Sequence, residues 1–236
     1  MIPIRSTMLQ MICRTTLGLA ALALAPMFVA PSAEAGSITY TLGTVFNGGT
    51  PTSTPPWLTA TFADNGADTV RLTLTADLNV NDEFISDVAF NVLSTIVPSS
   101  LSIDHVSGKT ATVQATTQGA QGLTGGGSAG SGFDINLAFS TAGNNGGANR
   151  FKGTDVVVYD ISRTGLTFAD FEFTNTGSAN AHVGAHIQGI PGVTGPSGAV
   201  KDGGVAVPEP SSIVLSGLGL GAVGLLTMRR RAQVAS

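Results

Sequence analysis

Val70-Arg71-Leu72-Thr73-Leu74-Thr75-Ala76-Asp77 alternates apolar and polar residues without a break. A strict period of two puts every second side chain on the same face of an extended chain, so this stretch reads as a β-strand with one face in a core and one in water. The alternation recurs outward in both directions. It places Leu58, Ala60 and Phe62 on one side of a preceding strand, and Phe84, Val88, Phe90 and Val92 on one side of a following strand. Phe133, Ile135, Leu137 and Phe139 repeat it against Asp134, Asn136 and Ser140. Val156 to Tyr159 is apolar throughout and reads as a central strand, and Leu166 to Phe173 and Ala181 to Ile187 complete a set of about nine or ten.

Clusters of Gly, Asn, Asp and Pro separate these strands, and no segment carries the 3.6-residue period of an amphipathic helix. Many short strands without helical crossovers predict an all-β, antiparallel β-sandwich of jelly-roll or Ig-like topology over residues 36–190. A closed barrel or propeller is disfavoured because no internal period of about 40 residues is present. Leu72, Leu74, Phe90, Ile135, Leu137 and Val158 are the expected core. Gly119 to Gly132 reads as a flexible glycine loop, and it lacks the Lys-Ser/Thr pair of a phosphate-binding loop. Residues 191–206 hold few large apolar side chains and read as a linker.

Charge narrows the function classes. Only 11% of the 236 residues are charged, and between Gly36 and Val207 six basic and 13 acidic residues leave the body at −7. A body of that sign has no basic patch for nucleic acid and stays soluble. Cys13 is the only cysteine. It lies in the N-terminal segment, where Arg5 and Arg14 precede an apolar run from Leu17 to Val29, followed by Ala33-Glu34-Ala35 and Gly36. A positive start, a short apolar run and small residues at an A-x-A site describe a secretory signal peptide over residues 1–35, cut by signal peptidase between Ala35 and Gly36. The mature chain then has no thiol for a disulfide, a nucleophile or a metal.

The other end reads Val207-Pro208-Glu209-Pro210-Ser211-Ser212, then 16 apolar residues from Ile213 to Met228, then Arg229-Arg230-Arg231. As a helix the apolar run would extend about 24 Å, short of the ~30 Å hydrocarbon core by an amount that local thinning and snorkelling arginines absorb. Positive flanks stay cytoplasmic, so Arg229, Arg230 and Arg231 anchor the topology with the body outside. This order of Pro-Glu-Pro, Gly/Leu-rich helix and arginine cluster resembles the PEP-CTERM sorting signal of Gram-negative bacteria, over residues 207–231. The resemblance implies recognition of Pro208, Glu209 and Pro210 by exosortase, a transient stay in the inner membrane, and final placement at the cell surface or outside the cell. The body is similar to a recurrent PEP-CTERM protein type through Thr61-Phe62-Ala63-Asp64-Asn65-Gly66, Glu83-Phe84-Ile85-Ser86 with Phe90-Asn91, and Ala185-His186-Ile187-Gln188-Gly189-Ile190. That type carries no assigned activity.

Candidate chemistry in the body is sparse. His182 and His186 are four residues apart, but on a strand that spacing separates them by about 13 Å, too far to share one ion. Asp64-Asn65-Gly66-Ala67-Asp68 and Asn79-Val80-Asn81-Asp82-Glu83 are oxygen-rich enough for a structural calcium, yet also suit hairpin turns. No G-x-S-x-G elbow occurs, and adjacent carboxylates such as Asp82-Glu83 point to opposite faces of a strand. The Thr-x-Thr pairs that begin at Thr39, Thr59, Thr73 and Thr110 share no common spacing and so form no regular ice-facing array. Neither a catalytic residue nor a metal site is assigned, and no cofactor is expected. The reading is a non-catalytic surface or matrix protein associated with exopolysaccharide. The alternative is a carbohydrate-binding jelly roll, with or without calcium, for which Trp57 is either an aromatic platform or, preferably, a core plug.

Overall fold

A computed structural model of the protein describes residues 36–78, 82–192, 197–203 and 207–208. The described chain is all-β: β1 (Ser37–Gly48), β2 (Leu58–Asp64), β3 (Thr69–Ala76), β4 (Phe84–Phe90), β5 (Ser102–Ser107), β6 (Ala111–Ala115), β7 (Gln121–Gly122), β8 (Ser131–Phe133), β9 (Ile135–Phe139), β10 (Val156–Ser162), β11 (Val183–Gln188), β12 (Ser197–Asp202) and β13 (Val207–Pro208). Short 3₁₀ turns are the only helical elements among the described residues. All pairings are antiparallel, and the principal sheet runs β5-β10-β3-β2-β1-β12-β11-β4-β9-β6, with β13 added beside β1.

The sheet folds over on itself in a sandwich-like manner. Phe62 of β2 and Phe90 of β4, four pairings apart along the sheet, meet with ring centroids 5.3 Å apart, and Phe171 stacks on Phe62 at 4.5 Å. Such contacts require the inner faces of the two halves to oppose one another around one core. The two outermost strands, β5 and β6, are consecutive in sequence, and the Ala111 N–H donates to Tyr159 Oη of β10 at 2.8 Å. The sheet is thereby nearly closed at that corner.

Leu72, Leu74, Phe90, Ile135 and Leu137 are buried as expected. Val158 is not: β10 alternates, burying Val157, Tyr159 and Ile161 and leaving Val158 half-buried and Val156 exposed. Its unbroken apolar run resembles a strand covered on both faces, but β10 lies next to the edge strand β5 and only one of its faces is in the core. In β4 every residue is buried, and a bulge shifts the pairing, Asp87 lying opposite His186 but Ile85 opposite Ile187. The extra residue, Ser86, switches the faces, so Phe84 leaves the side shared by Val88 and Phe90 and lies beneath the Arg150 guanidinium at 4.0 Å.

Three segments depart from the pattern expected of them. Leu166 to Phe173 contains a 3₁₀ turn, Phe168–Phe171, in place of a strand, because Thr167 and Asp170 close a capping box. The glycine run 119–132 is folded, with β7 and β8 paired and Leu123 and Phe133 packed with Ala89, Ala179 and Ala181 in a second small core outside the sheet. The supposed linker contains β12, which runs between β1 and β11 with Ala199 and Val200 buried. Its small side chains are required by close approach: a Cβ on Gly198 would lie 1.9 Å from the Gly49 carbonyl oxygen. The body therefore extends through Asp202.

Candidate functional site

Of the sorting motif, Val207–Pro208 falls within the described residues; Glu209, Pro210, the apolar stretch 213–228 and Arg229, Arg230 and Arg231 lie outside them. Val207 pairs with Thr39 and Pro208 with Ile38. The opposite edge of β1 is already held by β2, where Ile38 faces Phe62 and Thr39 faces Thr61. Further along, the same edge that receives β13 receives β12, from Leu42 opposite Asp202 to Gly48 opposite Gly198. The chain thus runs antiparallel along β1 twice, as β12 and then as β13, which brings Pro208, the last described residue, beside the first residues after Gly36. Proline suits the place because it lacks a backbone donor and holds φ near −65°, compatible with the end of an edge segment. Among the described residues no helix is long and apolar enough to cross a membrane.

Of the predicted signal-peptidase site, Ala33 and Ala35 lie outside the described residues and Gly36 is the first within them. Its N–H donates to Asp64 Oδ2 at 3.3 Å, its carbonyl accepts from the Asp64 N–H at 2.9 Å, and Asp64 Oδ1 accepts from the Phe168 N–H at 2.8 Å. In the turn that follows Asp64, read as calcium-compatible, Asp68 Oδ1 likewise accepts within the protein, from the Gly165 N–H at 2.7 Å, while Asn65 donates its amide N–H to Asp160 Oδ1 at 3.3 Å. The second oxygen-rich stretch is described only from Asp82. There Glu83 Oε1 accepts from the Thr52 N–H and hydroxyl, both at 2.9 Å, while Oε2 is buried without a partner beside an open cleft lined by Ser53, Asp77, Lys109, Lys152 and Asp155.

The two histidines turn to separate carboxylates. His182 Nδ1 meets Asp202 Oδ2 at 2.9 Å and its ring stacks on Tyr40 at 4.9 Å, while Asp202 Oδ1 accepts the N–H groups of His182 and Val183. Tyr40 donates its hydroxyl to the Phe171 carbonyl at 3.0 Å, and burial raises that hydroxyl well above the ordinary tyrosine range. His186 is 3% exposed in β11, an interior strand between β12 and β4. Its Nδ1 is 2.8 Å from Ser86 Oγ, which donates to Asp87 Oδ2 at 2.9 Å. Ser86 Oγ also lies within donating distance of the His186 carbonyl, at 3.3 Å; when its one proton goes to either of these oxygens it accepts from Nδ1–H, which in a neutral ring leaves Nε2 without a proton. That nitrogen is buried without a partner under Gly125 of the glycine run, where a Cβ would strike it at 2.7 Å.

Serine, histidine and aspartate meeting in this way was not read from the sequence, because only the bulge at Ser86 brings them together. The arrangement is not that of a hydrolytic triad, in which the carboxylate and the serine occupy opposite ring nitrogens. Here both crowd Nδ1. Trp57, Tyr40 and Tyr159 are all buried, Trp57 Nε1 donating to the Ser53 carbonyl at 2.7 Å, so none is an exposed platform and Trp57 is a core plug. Among the described residues no three His, Cys, Asp or Glu side chains lie close enough together to hold a metal ion.

No curated protein and no solved structure matches this chain. Residues 206–231 match the family model described as PEP-CTERM protein-sorting motif. The segment that begins at the β1 edge and continues through Pro208, Glu209 and Pro210 to the arginine cluster is therefore a PEP-CTERM sorting signal, which marks the chain as an exported protein sorted by exosortase.

Proposed function

We propose that the protein is a non-catalytic component of the cell surface or extracellular matrix, released from a transient inner-membrane stage by exosortase and associated with exopolysaccharide. The observation that carries this reading is the antiparallel pairing of β13 with the start of β1. It sends the chain outward at Gly36 and at Pro208 from the same pole of the body. A precursor with a signal peptide before Gly36 and an apolar stretch from Ile213 needs both ends directed at one membrane, and departure from one pole supports that reading. Five residues from Pro208 to Ile213 reach at most about 17 Å, so the body is held close to the outer face of the inner membrane until the tail is processed. His186, buried against Ser86, and His182, half-buried against Asp202, are both engaged within the protein, which favours a body without catalysis, while His105 is exposed on β5. The exposed hydroxyls and amides of β5 and β6, among them Ser102, Ser107, Thr112 and Gln114, are suited to hydrogen bonding with polysaccharide.

Fractionation tests the sorting step, using an antibody to the body and a tag after Ser236. Glu209→Ala, or deletion of the host exosortase, is expected to leave full-length protein in the inner membrane, whereas wild type loses the tag and moves outward. Co-migration of tag and body to the surface in wild type would replace processing with an uncut anchor. A second reading, a carbohydrate-binding module, is favoured by the polar cleft beside Glu83 Oε2, where a sugar hydroxyl would supply the missing donor. A glycan array at several calcium concentrations separates it from the first.

A further inference from the structure

We propose that removal of the signal peptide creates a charged N-terminus at Gly36 that docks on the Asp64 carboxylate and fastens the processed end of β1 to the body. The inference rests on cleavage between Ala35 and Gly36. Hydrolysis of that peptide bond consumes one water and leaves a carboxylate on Ala35 and an amine on Gly36, which is protonated at neutral pH. In the uncut chain this nitrogen is a neutral amide donor, already 3.3 Å from Asp64 Oδ2. Cleavage therefore converts an amide contact into an ammonium–carboxylate pair with no movement of the chain.

The receptor is built before the cut. Asp64 is fixed from two sides, by the Phe168 N–H on Oδ1 at 2.8 Å and by its own backbone bond to the Gly36 carbonyl at 2.9 Å. That leaves Oδ2 directed at the Gly36 nitrogen. The Phe168 ring closes over the same residue: a Cβ on Gly36 would lie 2.0 Å from Phe168 Cε1, so a larger residue there would displace the ring. The residue just after the predicted cut is thus favoured to be small by its packing in the body, whereas the peptidase reads the small residues before the cut, Ala33 and Ala35.

The ionisable groups on the surrounding segments are acidic except for Arg163 and for Arg71, which lies opposite Ala63 on β3 and is paired with Asp160. Asp170 accepts from Thr167, Asp68 accepts from the Gly165 N–H, Glu172 comes directly after the 3₁₀ turn, and Arg163 adjoins Asp68 through its backbone N–H. The Gly36 nitrogen donates to Asp64 among these carboxylates, so Asp64 is the partner that determines how the amine titrates. The β1 edge beginning two residues later holds β13. Fastening Gly36 therefore also steadies the strand on which the sorting motif rests.

The test uses the exported chain, purified in detergent. Intact mass identifies its first residue, independently of any titration; if the cut falls elsewhere, a chain beginning at Gly36 is made by traceless removal of a fusion partner. The α-amine is then titrated by NMR after ¹³C reductive methylation. In wild type it should hold its proton to a proton activity about tenfold lower than an ordinary α-amine does. Asp64→Asn, which still accepts the Phe168 N–H, should restore ordinary titration, as should one serine added before Gly36. The amine's affinity for its proton is higher in the folded chain, so its stabilising effect is full at neutral pH and below, and is lost as pH rises through the folded-state value. The Tm gap between wild type and Asp64→Asn should shrink over that alkaline range. An ordinary titration in the wild-type chain beginning at Gly36, or an unchanged raised titration in the serine-extended chain, would overturn the docking.

Discussion

Val157 and Val158 are neighbours in β10 with identical side chains and opposite fates: Val157 is 0% exposed and packs in the main core, whereas Val158 is half-buried on the outer face. Replacing each by alanine removes the same two carbon atoms. At Val157 the lost transfer is about 1.6 kcal/mol, from about 0.8 kcal/mol per buried carbon group, and the cavity left in a packed core raises the total to about 2–3 kcal/mol. At Val158 part of the side chain is already in water and no enclosed cavity forms, so the loss is about 0.5–1 kcal/mol. The decline in strand propensity is common to both and cancels in the comparison. For a domain of this size each kcal/mol lowers Tm by about 2–4 °C, so a difference of about 1–2.5 kcal/mol should make Val157→Ala melt about 2–10 °C below Val158→Ala. Thermal unfolding by circular dichroism, supported by urea titrations of unchanged slope, measures the difference. Equal destabilisation, or the larger loss at Val158, would refute the register of β10 against Leu74 and Thr73.

Two other perturbations probe the packing of β12 and the outer face of the sheet. Gly198→Ala forces a carbon against the Gly49 carbonyl and should destabilise by about 1–3 kcal/mol or more, whereas Gly203→Ala, with no atom of the described residues near its Cβ, should be close to neutral; paired urea melts check this. The Arg71 guanidinium, bonded to Asp160 at 2.8 and 2.9 Å, holds that carboxyl below the usual aspartate range. Its stabilising effect is therefore present above the ordinary aspartate pKa and is lost as pH falls through the lowered value, so the Tm gap between wild type and Asp160→Asn should be visible near neutral pH and vanish in acid. Salt should narrow the gap as well, since the pair is solvent-accessible.

Sequence alone determined the all-β class, the alternating strands around Leu72 and Leu137, and the sorting signal. These are properties of consecutive residues: period two reports an extended chain with one buried face, and Pro-Glu-Pro before an apolar run and arginines is read in linear order. Only the tertiary structure decided which face of an unbroken apolar run turns inward, as at Val157 and Val158, because that depends on what lies on either side of β10. It also decided that the small residues of β12 form a central strand. Close approach between backbones rewards Gly198 and Ala199 for their lack of bulk, while composition gives the same letters the look of a linker. The contacts of Ser86 with His186 and of Gly36 with Asp64 span 100 and 28 residues. They exist because a bulge in β4 and the register of β1 on β2 place those atoms together, and no local pattern in the chain records either event.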